Sequence, residues 1–505
     1  MRRIQWGRME RKIWILAVGV LAGLWTPGSA YPAQTLRLVR IGTAEPRGLA
    51  QRLTEAGFDV LPVGAGHACE VIVSEAELET LRLGGLAPEV IVAGQPFRDI
   101  QAGPLSIQAV PSGYPELEQI LAQLHAAEDD FPALCKVVDL TETYGTAPTF
   151  EGRHLFALKI SDRVAQEEDE PAFLLVGAHH AREVVTPVIA LYAVEQLTQG
   201  YGVDPNITAL VDEYEIWVAP VWNPDGYEHV FRTDNFWRKN RRVFSPGAGV
   251  GVDLNRNYPV GWDAGCGGGT VPMSETYRGP APASEAETQT MIAFGRDRRF
   301  AKVADLHSWA REVRYATGCL FHPFLAFLSA EAARLAVLAD YGTSLSCCTG
   351  GDIHFHMTNY GSHAFVWETH GSFQPSYTSA RQEAARVFPS VLALLQRPAS
   401  LCGHVTDALT GKPLAATLTY IGVPFANGET NGSDARWGRY QAFLPDGAHL
   451  LKFTAAGYHP QYYRIKVDPA GRLLDVPMVP VSGGSGPPRD QDPAGPDAGL
   501  MSAIR

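Results

Sequence analysis

The stretch Ala172-Phe173-Leu174-Leu175-Val176-Gly177-Ala178-His179-His180-Ala181-Arg182-Glu183-Val184-Val185-Thr186-Pro187 decides how the rest of the chain is read. Its first five residues form an unbroken apolar run, the pattern of a strand buried on both faces. Thr186-Pro187 then reads as an N-cap followed by proline at the first helical position, opening a helix that runs to about Thr198. A strand that passes through a loop into a helix is the repeating unit of an α/β sheet. Such sheets bind ligands outside the carboxyl ends of their strands, where this loop must lie. The loop carries His180 and Glu183, three residues apart, so a single turn can aim both side chains at one point.

The same rhythm continues on both sides. Ile216-Trp217-Val218-Ala219 and Ala364-Phe365-Val366-Trp367 are further buried strands, and amphipathic helical windows alternate with apolar runs from Tyr114 to Arg397. This predicts a mixed or parallel sheet covered on both faces, in a unit spanning 110–397. Upstream, residues 35–97 alternate short β-branched runs (Arg37 to Ile41, Phe58 to Leu61, Cys69 to Val73) with helical stretches at 47–56 and 75–83. They predict a small open-faced α/β domain, joined to the larger unit by a Pro/Gly-rich linker between about 94 and 113. From Leu401 to about Pro480 short strands punctuated by glycine predict a β-sandwich. The segment 481–505 is rich in Gly, Pro and Asp, and reads as a disordered tail.

At 505 residues the chain exceeds one ordinary core, and 46% hydrophobic with 19% charged residues is the balance of a globular protein. A formal charge of −12 without a basic stripe argues against nucleic acid as a partner. Arg2, Arg3, Arg8, Arg11 and Lys12 precede the apolar run Ile13 to Trp25 and then Gly28-Ser29-Ala30, so residues 1–30 read as a signal peptide. No later stretch is long and apolar enough to span a bilayer, which predicts a secreted or periplasmic protein with no stable membrane insertion after signal removal. Seven scattered cysteines, none in C-x-x-C spacing, support neither a disulfide framework nor a thiolate metal site.

A catalytic zinc requires three nitrogen or oxygen ligands and one open position. His180 and Glu183 can supply two, and His307, 124 residues beyond Glu183 at the end of another apolar run, can supply the third. His179, directly beside His180, is the competing ring.

Five segments then align in order: Gly177 to Glu183, Asn223-Pro224-Asp225-Gly226, Trp237-Arg238-Lys239-Asn240-Arg241, Gly251 to Asn257, and Ser274 to Gly279. Together they resemble the zinc carboxypeptidase family of the pancreatic carboxypeptidase A type, over roughly 114–397. The resemblance implies an α/β/α sandwich around a mixed eight-stranded sheet and one Zn2+ per chain held by His180, Glu183 and His307. It implies that Glu368 is the general base and that Arg241 polarises the scissile carbonyl. Asn255 and Arg256 would grip a terminal carboxylate, with Asp253 hydrogen-bonded to His180 from behind. Arg182, Arg238 and Trp309 would be secondary substrate contacts. Without the resemblance, Glu368 reads as a salt-bridged strand end and the 238–242 basic run as a solvated face.

The chain departs from the family pattern where a mobile tyrosine is usual. That position falls on Ser346, with Tyr341 and Tyr360 as possible substitutes. The family's specificity position falls on Ile353, implying apolar or aromatic C-terminal residues; Asp352 and His354 flank it. Residues 35–97 resemble the family's pro-segment. Residues 401–480, with Gly403 to Asp407, Thr410 to Leu414, Gly438-Arg439-Tyr440 and Ala456-Gly457-Tyr458, resemble its transthyretin-like companion domain. The function implied is a secreted metallocarboxypeptidase acting on peptide or protein C-termini. The alternatives are a zinc amidase on cell-wall peptides and a catalytically weak peptide-binding relative.

Overall fold

The computed structural model describes residues 35–481 apart from 62, 64–66, 102–112, 246–248, 317, 347 and 469. The expected signal peptide, the central part of the expected linker and nearly all of the expected tail lie outside the described residues.

Near the N-terminus, β1 (Arg37–Gly42), β2 (Asp59–Val60), β3 (Ala68–Val73) and β4 (Pro88–Ala93) form an antiparallel sheet in the order β2-β3-β1-β4. Alternation sets its two faces. Val39, Ile41, Val71 and Val73 pack with Leu49, Leu53, Leu78 and Leu81 of the helices Pro46–Glu55 and Glu75–Leu83. On the other side Leu36, Leu61 and Ile72 join the main core of the chain. The segment that follows is not a free linker at its start. The Gly94 amide donates to the Leu36 carbonyl, and Phe97, in the short helix Phe97–Gln101, is buried against Tyr114 and Phe231.

The central sheet comprises β5 (Cys135–Asp139), β6 (Phe156–Ile160), β7 (Ala172–Val176), β8 (Glu215–Ala219), β9 (Lys302–His307), β10 (Glu312–Tyr315), β11 (Gly342–Leu345) and β12 (His363–Glu368), in the order β11-β10-β12-β9-β7-β8-β6-β5. The inner four, β12, β9, β7 and β8, are mutually parallel, while β10, β6 and β5 make antiparallel pairs. This is the mixed eight-stranded α/β/α architecture expected. The helices Val185–Gly200, Leu325–Ala339 and Tyr377–Gln396 pack together in one layer; Ala286–Arg298 packs on Leu140–Tyr144, and Asp352–Tyr360 lies against β9 and β12. The helix after β7 differs from expectation at its start. Its N-cap position is Val184, and Thr186 lies inside the first turn, where its Oγ1 donates to the Glu183 carbonyl and accepts from the Ala178 amide. Thr186 therefore fastens the loop instead of capping the helix.

At the C-terminal end, β13 (Leu401–Asp407), β16 (Arg439–Ala442) and β19 (Val476–Met478) form one sheet, and β14 (Thr417–Tyr420), β15 (Asn431–Gly432), β17 (Gly447–Thr454) and β18 (Gln461–Val467) a second. Leu401, Val405, Tyr440 and Met478 of the first pack against Leu418, Leu451, Phe453 and Ile465 of the second, a β-sandwich core. Cys266 and Cys319 form a disulfide, and Cys69, Cys135 and Cys402 are free.

Candidate metal centre

Three adjacent parallel strands deliver the site. β9 ends at His307, β12 places Glu368 opposite it in register, and the loop leaving β7 carries His180 and Glu183. The loop turns sharply. Ala178 sits at φ +49°, a conformation alanine rarely adopts, and a side chain at Gly177 would approach the Pro220 carbonyl to 2.9 Å.

Nδ1 of His180 lies 2.8 Å from Glu183 Oε1, and Nδ1 of His307 lies 3.1 Å from Glu183 Oε2 and 3.0 Å from the other Nδ1. The opposite ring nitrogens face carboxylates: His180 Nε2 is 3.2 Å from Asp253 Oδ1 and His307 Nε2 is 2.9 Å from Asp305 Oδ2. With each Nε2–H donated to its carboxylate, two imidazole lone pairs and a carboxylate converge on one point, an arrangement that only a cation satisfies. Two nitrogens and one oxygen suit zinc, and carboxylate-supported imidazoles are the usual form of such sites. The charges agree. Burial alone would lower the His307 imidazole, but Asp305 and Glu183 hold it well above its ordinary value. Burial would raise Glu183, but His180 and His307 hold it well below the carboxylate range.

His179, Asp305 and His307 also lie close enough to hold an ion. His179, however, has both ring nitrogens engaged, Nδ1 at 3.0 Å from Asp305 and Nε2 at 3.1 Å from the Tyr258 hydroxyl, in a fully buried position. That leaves His180 as the ring facing the cluster. Asp305 has no place in the sequence reading, although an acid two residues before a strand-end histidine shares its face.

Arg238 and Arg241 of the basic run part company. Arg241 turns away, its Nε 3.4 Å from Glu151 and its guanidinium stacked 4.5 Å above Trp237. Arg238 is the cation at the cluster: its Nε and Nη2 donate to Asp253 Oδ2 and its Nη1 lies 4.0 Å from Glu183. Of the two, it is Arg238 that contacts Glu183 and Asp253. Asp253 is held far below the carboxylate range, burial being outweighed by Arg238, Arg256 and His180.

Asn255 Nδ2 lies 2.9 Å from His307 Nε2, and Asn255 Oδ1 accepts from the Asp352 amide, while Arg256 Nη1 donates to the Asn255 carbonyl. Trp309 follows Ser308, whose amide donates to Glu183; its ring meets Phe373, over which Arg182 also lies. Arg182 is ion-paired with Asp59, at the start of β2. The pair is buried, so the N-terminal sheet reaches into the cleft beside the metal cluster. Burial would raise the Asp59 carboxyl, but Arg182 and then Arg238 hold it down. Glu368 meets a group absent from the sequence reading: Arg314 Nη1 is 2.9 Å from its Oε1. Ile353 is only 2% exposed. Ser346 Oγ faces the Cys348 carbonyl; Tyr341 is bonded to Glu383, and Tyr360 packs under Arg299. Neither tyrosine is poised over the cluster.

A family model described as zinc carboxypeptidase matches residues 120–372. The chain is 33% identical over 279 residues to the zinc carboxypeptidase of Saccharothrix mutabilis subsp. capreolus, a match covering 51% of this chain and 61% of that protein. It is 35% identical over 209 residues to carboxypeptidase A2 of Rattus norvegicus, covering 41% and 47% respectively. The chain therefore spans about half to three fifths of the length of these curated relatives. Among solved structures, carboxypeptidase A from Helicoverpa armigera is similar with a TM-score of 0.60 at 20% identity, over 72% of this chain and 98% of that one. Thrombin activatable fibrinolysis inhibitor is similar with a TM-score of 0.58 at 19% identity, over the same shares. At these identities the likeness is one of fold.

Proposed function

The chain belongs to the zinc carboxypeptidase family, and on that footing we propose that it is a one-zinc metallocarboxypeptidase that hydrolyses the last peptide bond of peptides or proteins. The observation that carries this reading is the convergence of His180 Nδ1, His307 Nδ1 and the Glu183 carboxylate, each imidazole backed by a buried acid.

A zinc ion held by these three groups would supply a Lewis acid and a water of lowered pKa. Glu368, at the end of the neighbouring strand, takes the proton of the attacking water and returns it to the leaving amine. Arg238, fixed by Asp253, donates to the carbonyl oxygen as negative charge develops there, the role expected of Arg241. Asn255 and Arg256 bind the terminal carboxylate, which restricts cleavage to the last bond; a planar guanidinium suits that task. Arg182 and Trp309, on the wall shared with Phe373, contact the residues upstream of the scissile bond. Ile353 alone favours an apolar C-terminal side chain, but at 2% exposure it offers a substrate little surface.

The proposal extends to the remaining segments. Residues 1–30 are read as a signal peptide, placing the enzyme outside the cytoplasm; among the described residues no helix is long and apolar enough to cross a membrane. Residues 35–97 act as a pro-segment-like cover, a reading supported by Asp59 on Arg182. Residues 110–397 are the catalytic domain, 401–480 a transthyretin-like companion and 481–505 a tail. The test is release of single C-terminal residues from peptides, with and without a chelator. Chelator-insensitive release removes the zinc mechanism.

A further inference from the structure

One charged group beside the proposed base has no part in the chemistry above. β10 runs antiparallel to β12 on the side away from His307, pairing Glu312 with Glu368 and Arg314 with Val366. From there Arg314 Nη1 reaches Glu368 Oε1 at 2.9 Å, and its Nε lies 3.4 Å from Glu312 Oε2, which also accepts from Ser344 Oγ. Arg314 and Glu368 keep 22% and 14% of their side-chain surface exposed, so solvent reaches the pair.

The continuation of β10 ties Arg314 to the carboxylate grip. The Ala316 carbonyl faces Nε2 of His354, buried in the first turn of the helix Asp352–Tyr360, and the Asp352 amide in that turn donates to Asn255. Arg256 lies close enough for its charge to act on His354. A chain of contacts, buried at Ala316 and His354, therefore links β10 beyond Arg314 to Asn255 and Arg256.

The geometry of a substrate then fixes what Arg314 meets. The Cα of a C-terminal residue is bonded both to its carboxylate carbon, held at Asn255 and Arg256, and to the amide nitrogen, protonated by Glu368. Its side chain must leave from between these two grips, and Arg314 stands beside the Glu368 grip. Resting on the metallocarboxypeptidase reading, we propose that Arg314 is a specificity-determining residue that selects peptides ending in glutamate or aspartate, their side-chain carboxylate replacing Glu368 as its partner.

Charge balance favours this exchange. Glu368 must turn toward water and the leaving amine to act, which withdraws a carboxylate from Arg314. An acidic side chain restores that charge, whereas an apolar one does not.

The test compares kcat/KM of the zinc-loaded full chain on blocked dipeptides identical except for the last residue: Glu, Gln, Asp, Leu and Phe. The expected result is a preference for Glu over its neutral isostere Gln of about tenfold or more, the worth of a charge-assisted hydrogen bond. In Arg314→Leu the Glu/Gln ratio falls to about one and the order of Leu and Glu inverts; Arg314→Lys retains part of the preference. A folding defect scales every substrate alike and leaves the ratio intact. A Glu/Gln ratio near one in the unaltered protein, or one unchanged in Arg314→Leu, overturns the assignment of Arg314 while leaving the peptidase reading standing. Hydrolysis of none of the peptides overturns both.

Discussion

Arg238 and Asp253 share two hydrogen bonds, from Nε at 3.0 Å and Nη2 at 2.8 Å to Oδ2, while the other oxygen of Asp253 lies 3.2 Å from Nε2 of His180. One buried carboxylate thus orients both a metal-facing imidazole and the cation proposed to stabilise the developing oxyanion. Asp253→Asn should lower zinc affinity about 10- to 100-fold, the usual cost of losing such support. Competition against a chromogenic chelator measures this, and wild-type affinity in the variant contradicts the arrangement.

The same geometry separates the paired histidines. His180→Ala should purify with little zinc, because a Nδ1 ligand is lost. His179→Ala should retain close to one equivalent but melt at a lower temperature, since it leaves Asp305 and Tyr258 short of a buried partner. Metal analysis and thermal unfolding of the two variants give the comparison. Equal zinc loss in both would assign the ion to the wrong cluster.

Arg238 and Arg241 differ only by three positions in sequence, yet their substitution should separate by orders of magnitude. Arg238→Met is expected to lower kcat by about 100- to 1,000-fold, the range seen when a donor to a developing oxyanion is removed. Arg241→Ala, which loses contacts to Glu151 and Trp237, should stay within a few-fold. Steady-state kinetics on one peptide decide between them, and the reverse order restores the role expected of Arg241.

Asp59 and Arg182 form a buried ion pair between the N-terminal sheet and the cleft. Removing one member strands the other, at a cost of about 3–5 kcal/mol. Asp59→Ala should therefore increase hydrogen exchange in β2 and β3 and raise kcat/KM by exposing Arg182. Unchanged exchange and activity would mean the pair does not hold the module in place.

The contact around that module is also pH-dependent. Burial and then Glu275 push the Glu77 carboxyl up to about 8, against hydrogen bonds from Ser74 and the charge of Lys239. Glu275 is itself raised, by burial first and also by Asp59, against Lys239 and Arg182. A folded-state value above the unfolded one means that the folded protein holds a proton the unfolded chain has released. Stability from this group is complete below about pH 4.5 and is lost as pH rises through about 8. Melting temperature measured from pH 5 to 9 should fall less steeply in Glu77→Gln than in the parent; parallel curves count against the buried carboxyl pair.

Much of the sheet is legible because Ala172 to Val176 and Ala364 to Trp367 are apolar without interruption, and only burial on both faces rewards that. The His180 and Glu183 pair is legible through the segments that accompany it, since the three-residue spacing alone is a weak signal in a chain with fifteen histidines. Asp305 is not, since an acid inside the apolar run of β9 acquires meaning only once His179 and His307 are seen on either side of it. Arg238 and Arg241 are told apart in the sequence by resemblance alone, because the chain there is irregular and offers no periodicity; the contact of Arg238 with Asp253 is made by the fold. The Arg314 pair with Glu368 depends on the antiparallel placement of β10 beside β12, and the Cys266–Cys319 pairing joins residues 53 positions apart. Both are set by topology that no local pattern encodes.

The most direct test of the central claim is the zinc content and C-terminal residue release of the full chain beside Glu368→Gln. The account predicts about one zinc per chain in both proteins, with residue release abolished by a chelator in the first and by the substitution in the second. Zinc-free protein that still releases C-terminal residues, or undiminished release by Glu368→Gln, contradicts it.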